Sequence, residues 1–201
     1  MNIAVYSGSF NPLHIGHLAI IRHMIEVAGF DMVYLIVSPK NPLKDGISSD
    51  SGRERYKAAV EAVERRFLHS SLSASGRNDS KAVEARVKVD DIELNMPEPH
   101  YTIRTLDALK EREPDNRFTL VMGADNLADI RRWRDYTRIL KEFGVAVFPR
   151  EGHDLTEIKQ DLLKEDPAYM IQILDAEMVD ISSTQIRNAI AEGEDISKYL
   201  M

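Results

Sequence analysis

A chain of 201 residues, 43% hydrophobic and 29% charged, can bury a sizeable core and has the composition of an ordinary globular protein. It has no cysteine, which excludes disulfides and thiolate metal sites and suits a reducing cytoplasm. The net charge of −7 argues against a broad nucleic-acid surface, so a polyanionic ligand must be held by a local cluster of cations. No apolar run approaches the ~20 residues of a membrane span, and Met1 to Ile3 opens a strand and not a signal peptide. The expected setting is therefore cytoplasmic, with neither membrane nor nucleic acid as partner.

Ile3 to Tyr6 reads as a short strand. Leu18 to Ala28 reads as a helix with Leu18, Ile21, Ile25 and Ala28 on its apolar stripe and Gly29 as its C′ residue. The turn between them is Ser7-Gly-Ser-Phe-Asn-Pro-Leu-His-Ile-Gly-His17. Met32 to Val37 is apolar without alternation, which predicts a strand buried on both faces of a parallel sheet covered by helices. Strand, helix and strand in so short a span make a βαβ unit. Ser38 to Lys44 follows as a proline-punctuated loop at the carboxyl ends of the strands, where α/β sheets bind ligands. Ser51 to Phe67 is expected to be a helix burying Tyr56, Ala59, Val60 and Val63, with Arg55 near its start. Leu68 to Ala82 reads as a loop or insertion.

Val87 to Leu94 alternates apolar and charged residues, as a half-exposed strand does. Pro97 and Pro99 break it, and Tyr101-Thr102 opens a helix to about Glu113. Phe118 to Met122 is another buried strand, ending at Gly123-Ala124-Asp125. A short helical stretch leads to Arg131-Arg-Trp-Arg134, and a helix from about Asp135 reaches Phe143. Val145 to Phe148 is a strand ending at Pro149-Arg150. The remainder holds a helix from Leu155 to Glu165, a strand from Met170 to Leu174, and Ile181-Ser-Ser-Thr-Gln-Ile-Arg187 opening a helix to about Glu192. The fold expected is α/β, a doubly wound (Rossmann-like) parallel sheet with helices on both faces. It forms a single domain over 1–201, with 180–201 as a small helical C-terminal extension.

Gly8 and Ser9 suit a turn whose backbone N–H groups approach a ligand closely. His14 and His17 are three apart, so at a helix start they share a face beside the positive end of its dipole. Two imidazoles and free N–H groups there describe a phosphate site; an ordinary βα loop with two surface histidines is the plain alternative. Ser182, Ser183 and Thr184 are ordinary N-cap types, yet with Arg187 they also make a second donor-rich helix start. Asp125 puts a carboxylate on the ligand edge, which suits ribose hydroxyls and not phosphate, or else an N-cap. Trp133, the single tryptophan, lies between arginines and off any clean apolar stripe. It is either a platform for a flat heteroaromatic ring or a core residue. Tyr101 and Thr102 would offer N–H groups to a carboxylate. No Gly-x-Gly-x-x-Gly follows the first strand and no Gly-Lys-Ser/Thr occurs, against a dehydrogenase or a P-loop kinase. No third ligand at zinc spacing follows the two histidines.

Gly8 to His17 resembles, position for position, the signature of the nucleotidylyltransferase superfamily. Its members transfer a nucleoside monophosphate from ATP or CTP and release pyrophosphate. Ile181 to Arg187 is similar to that superfamily's Ile-Ser-x-Thr-x-x-Arg/Lys run. Three further features are Tyr101-Thr-x-x-Thr105-Leu106, a Gly-Ala-Asp-Asn-Leu run with Trp133 beyond it, and Phe148-Pro-Arg-x-Gly152. In order and spacing they resemble the bacterial nicotinate-mononucleotide adenylyltransferases across nearly the whole chain. The resemblance implies in-line attack by the 5′-phosphate of nicotinate mononucleotide on the α-phosphorus of ATP. The products are nicotinate adenine dinucleotide and pyrophosphate, a step of NAD biosynthesis.

The same resemblance implies ATP contacts from Gly8, Ser9, Phe10, His14, His17, Gly123, Asp125, Ser182, Ser183, Thr184 and Arg187. It implies mononucleotide contacts from Lys44, Arg55, Tyr101, Thr102, Trp133 and Arg134, with His14, His17, Lys44 and Arg187 catalytic. Mg²⁺ is expected with ATP, held mainly by phosphate oxygens and water. The attacking phosphate is already an anion, so catalysis is positioning plus charge stabilisation without a general base. Two departures stand out. The first motif opens Ser-Gly-Ser where Gly-Gly-Thr is commoner, and the usual Pro-Pro-His-Lys loop is Asn41-Pro42-Leu43-Lys44. The amide mononucleotide is the alternative acceptor, a non-catalytic ATP sensor the alternative class, and a homo-oligomer is compatible with the sequence.

Overall fold

The computed structural model describes residues 1–39, 52–73, 86–176 and 183–200, and of 66–73 the backbone alone. Strands β1 (Asn2–Gly8), β2 (Met32–Val37), β3 (Val87–Asp90), β4 (Arg117–Gly123), β5 (Val145–Phe148) and β6 (Ile171–Ile173) form one sheet in the order β3-β2-β1-β4-β5-β6. Every pairing is parallel. A parallel sheet needs crossovers, and these are helices α1 (Ile15–Glu26), α2 (Gly52–Ser73), α3 (Thr102–Arg112), α4 (Ala124–Ala128), α5 (Tyr136–Arg138, continuing to Phe143) and α6 (Leu155–Glu165). A last helix, α7 (Ser183–Ala191), follows β6.

Alternation along the strands divides the core into two layers. Ile3, Val5, Phe118, Leu120, Val145 and Val147 pack against Leu106, Leu109, Leu127, Ile139 and Leu162 of α3 to α6. Ala4, Tyr6, Val33, Leu35, Val121 and Phe148 pack against Leu18, Ile21 and Met24 of α1 and Ala59 and Val63 of α2. Both faces are covered, which is why Met32 to Val37 carries no alternation. The doubly wound expectation is met.

Most boundaries agree with the expected ones to within two residues, and four elements differ by more or in kind. Helix α1 begins at Ile15 and not Leu18, because His14 is already its N-cap. The backbone of Leu68 to Ser73, expected to be loop, continues α2, and the rest of 68–82 lies outside the described residues. The strand expected over Val87 to Leu94 stops at Asp90. There the Asp90 carboxylate accepts from the Ile92 N–H at 3.0 Å and from Arg112 at 3.1 and 2.6 Å, and the chain turns into a 3₁₀ helix. The helix expected over 135–143 widens after its first turn: the Gly144 N–H reaches back five residues to the Ile139 carbonyl at 2.8 Å.

The strand order reverses between β1 and β4, the arrangement in which α/β sheets open a ligand crevice outside the carboxyl ends of the strands. Register sets what lines that edge. Gly8 ends β1 opposite Val37 of β2, and Gly123 ends β4 opposite Phe148 of β5. The segments leaving those four residues therefore emerge side by side.

Candidate active site

The segment leaving β1 turns at Phe10, whose φ of 44° is left-handed. That turn buries the Phe10 ring, with its centroid 5.5 Å from the Tyr6 ring and 5.3 Å from the His17 ring. His14 then caps α1, and its backbone N–H donates to His17 Nδ1 at 3.2 Å. With Nδ1 accepting, neutral His17 carries its proton on Nε2 and offers a donor there. The two imidazole centroids stand 3.7 Å apart. Burial, and then the Arg150 charge, lower the His14 pKa to about 4. Burial, followed by His14 and Arg150, holds His17 well below the usual histidine range. Both rings are thus neutral donors at pH 7.

Across the reversal point, Gly123 brings the backbone close to the side chains of Asp125 and Phe148. A Cβ there would stand 2.3 Å from Asp125 Oδ1 and 3.2 Å from Phe148 Cε2. Asp125 lies in the first turn of α4, exposed toward the same edge, with its Oδ1 3.9 Å from Arg150 Nε. Among the described residues no three His, Asp or Glu side chains cluster as a metal cage. A divalent cation at this edge would therefore be held mainly by phosphate oxygens that it brings with the nucleotide.

The two signature motifs meet. In α7, Ser183 Oγ donates to the Pro12 carbonyl at 3.3 Å, and Arg187 donates to the Asn11 carbonyl at 2.8 Å and to Thr184 Oγ1 at 2.9 Å. Buried Ile186 anchors the helix. Leu200 makes an antiparallel bridge to His14, which brings the C-terminal segment against the first motif too. Ser182 and Lys44, like Asn41 to Leu43, lie outside the described residues.

Arg55 differs from expectation. It is buried, and its guanidinium donates to the carbonyls of Ser9 at 2.7 Å, Ser38 at 2.8 Å and Pro39 at 2.8 Å. It ties the loops after β1 and β2 together instead of standing open to a phosphate. Glu93, which sequence reasoning missed, extends this brace: its carboxylate accepts from Ser38 Oγ at 2.6 Å and from Thr105 Oγ1 at 2.8 Å. An acidic residue at a buried turn gives no sequence signal, because its partners come from other elements.

A second recess adjoins the start of α3. Tyr101, Arg131, Arg132, Trp133, Arg134 and Tyr136 line a shallow cavity of about 510 Å³. Trp133 is half-buried against the core, with one part in the cavity wall. Its indole N–H is buried without an acceptor among the described residues, a donor left for water or a ligand. Tyr101 is the N-cap of α3 and provides no side-chain cap, and Thr102 is its first residue. The Tyr101 N–H, expected to be open, donates to the Pro99 carbonyl at 3.1 Å, so the donors this helix start keeps for an anion begin at Thr102. The arginines are less free than their number suggests. Arg131 is held by Asp161 at 3.0 Å and Glu165 at 2.9 Å, and Arg134 stands 3.4 Å from Asp135.

A reversal-point crevice with a histidine pair at one helix start, a carboxylate at the next and a basic helix docked on the first loop defines a nucleotide-binding α/β enzyme. The cytidylyltransferase-like family model matches residues 5–189. A probable nicotinate-nucleotide adenylyltransferase of Flavobacterium johnsoniae is 36% identical over 100% of this chain and 92% of its own. That of Bacteroides fragilis is 35% identical over 98% and 85%. The nicotinic acid mononucleotide adenylyltransferase of Plasmodium falciparum, solved with NaAD, shares the fold with a TM-score of 0.70 at 20% identity, covering 99% of this chain and 90% of that one. The chain belongs to the cytidylyltransferase-like family and, within it, to the nicotinate-nucleotide adenylyltransferases.

Proposed function

We infer that this nucleotidyltransferase joins AMP from ATP to the 5′-phosphate of nicotinate mononucleotide, releasing pyrophosphate. The observation that carries the reading is the docking of Arg187 and Ser183 onto the Asn11-Pro12 carbonyls beside His14. It gathers two donor-rich helix starts around one crevice, as a triphosphate requires. In this reading Asp125 accepts from the ATP ribose, and the Gly123 backbone lies against it. His14 and His17 donate to the α-phosphate region, and Arg187 with Ser183 and Thr184 meets the outgoing phosphates. Mg²⁺, held mainly by the phosphate oxygens of ATP, would supply neutralisation of phosphate charge. The nicotinate ring lies on Trp133, with its carboxylate at the start of α3 near Tyr101, Thr102 and Arg134. Lys44 meets the incoming phosphate.

The relatives' names support the acid as acceptor, and so does the uncapped start of α3, since the amide carries no charge for those donors. The test is pyrophosphate release with ATP and Mg²⁺ against nicotinate mononucleotide, its amide, phosphopantetheine and glycerol phosphate. The acid is expected to give the highest kcat/KM. A preference for either non-pyridine acceptor would overturn the reading.

A further inference from the structure

Arg150 stands just past the end of β5 and therefore on the same sheet edge as His14, Gly123 and Asp125. Its guanidinium lies 5.2 Å over the Phe148 ring, and its Nε is 3.9 Å from Asp125 Oδ1. At that length, with both side chains about half exposed, the pair is held loosely. The point where a Gly123 Cβ would sit is 2.3 Å from Asp125 Oδ1 and 3.3 Å from Arg150 Nε, so these groups converge on one spot in the crevice. The Arg150 charge reaches further, for it is among the causes that keep both His14 and His17 neutral. Arg55, by contrast, is committed to three loop carbonyls, and Arg187 stands at the first motif, anchored on Asn11 and Thr184.

Resting on the adenylyl-transfer reading above, we propose that Arg150 is a further catalytic residue, which leaves Asp125 for the ATP phosphates when ribose hydroxyls take that carboxylate. In the transfer, a bond forms from the acceptor's phosphate oxygen to the α-phosphorus as the bond to the α–β bridging oxygen breaks. The electron pair leaves on pyrophosphate. Arg150 moves no proton; its guanidinium donates to phosphate oxygens beside the two imidazoles, where charge grows. The exchange of partners explains why a cation is kept next to a ribose-binding carboxylate. It occupies the acid loosely in the free enzyme and is released by the same substrate that needs it.

The test uses the full chain and its Arg150→Ala, Arg150→Gln and Arg150→Lys variants, with calorimetric binding of ATP and of adenosine beside pyrophosphate-release kinetics. Loss of a charge-assisted phosphate contact should lower ATP affinity and kcat/KM by about 10- to 100-fold in the Ala and Gln variants. Adenosine, which has the ribose but no phosphate, should bind as well as before or better. Lysine should recover only part, because it brings the charge without the planar fork. Equal weakening of ATP and adenosine would mean that Arg150 merely orients Asp125 and would overturn the proposal, as would unchanged kcat/KM. Absence of pyrophosphate release by the wild type with every acceptor would instead overturn the functional reading, while the ATP-against-adenosine comparison still decides the role of Arg150. If the Ala variant fails to fold, the Gln and Lys variants read the same difference.

Discussion

A single acceptor bond settles what position 17 can offer: with Nδ1 taken by the His14 N–H, the proton of the neutral ring sits on Nε2. If His14 and His17 supply preorganised donors to the α-phosphate region, His14→Ala and His17→Ala should each lower kcat by about 10²–10³ with the melting profile retained. Turnover near that of the wild type in both would sink the assignment. The same imidazoles make stability pH-dependent. His14 is pulled down to about 4 by burial first and Arg150 second, whereas an unfolded chain titrates it near ~6.5. Between those values the unfolded state binds a proton that the folded state refuses, so stability falls as pH drops through that window. His17 contributes with the same sign. Thermal melts from pH 7.5 down to 4.5 should show Tm falling, and His14→Gln should flatten the slope. A wild-type Tm that is level across the window would contradict the buried, neutral ring.

At the scale of elements, α7 and the α4–α5 segment each do two things. Helix α7 is anchored by Ile186 and carries Arg187 onto the Asn11 carbonyl. Arg187→Ala should therefore weaken ATP more than the mononucleotide in steady-state kinetics with each substrate varied. An effect on the mononucleotide KM alone would place the second motif at the wrong subsite. Trp133 joins the 3₁₀ turn after α4 to the turn before α5, with one part against the core and one in the cavity wall. Stacking of a flat ring on an aromatic is worth about 1–3 kcal/mol, so Trp133→Ala should raise the acceptor KM by roughly 5- to 150-fold and leave the ATP KM unchanged. Because the ring is only half-buried, the loss of stability should stay below the roughly 3–5 kcal/mol of a fully buried aromatic. A large fall in Tm with an unchanged acceptor KM would remove the ring-platform role.

At the scale of the whole molecule, the crevice exists because the order of strands reverses beside β1, and it keeps its shape because two buried charged groups tie its loops. Arg55 from α2 and Glu93 from the turn after β3 meet at Ser38, one through its carbonyl and the other through its hydroxyl. Glu93→Ala would deprive Ser38 and Thr105 of this acceptor at a cost of about 1–3 kcal/mol. For a chain of this size that is a fall in Tm of roughly 2–4 °C for each kcal/mol. Differential scanning calorimetry would check it, and a Tm unchanged from wild type would show that water replaces the carboxylate without loss.

Local pattern determined much of this protein. The uninterrupted apolar run of Met32 to Val37 and the helix from Leu155 to Glu165 appear with those limits, because burial on both faces and a 3.6-residue stripe are written in neighbouring residues. The candidate site was legible where its residues are contiguous, as in Gly8 to His17 and Ser183 to Arg187. What the tertiary structure decided are matters between elements. Arg55 is turned inward, where the carbonyls of two loops take its donors. The strand after Val87 ended early because Arg112, from α3, holds the Asp90 carboxylate that turns the chain. Arg150 acquired its place only when β5 paired beside β4 and carried it to Asp125. Periodicity reports which face of an element is buried; it carries no information on which distant polar group will be waiting there.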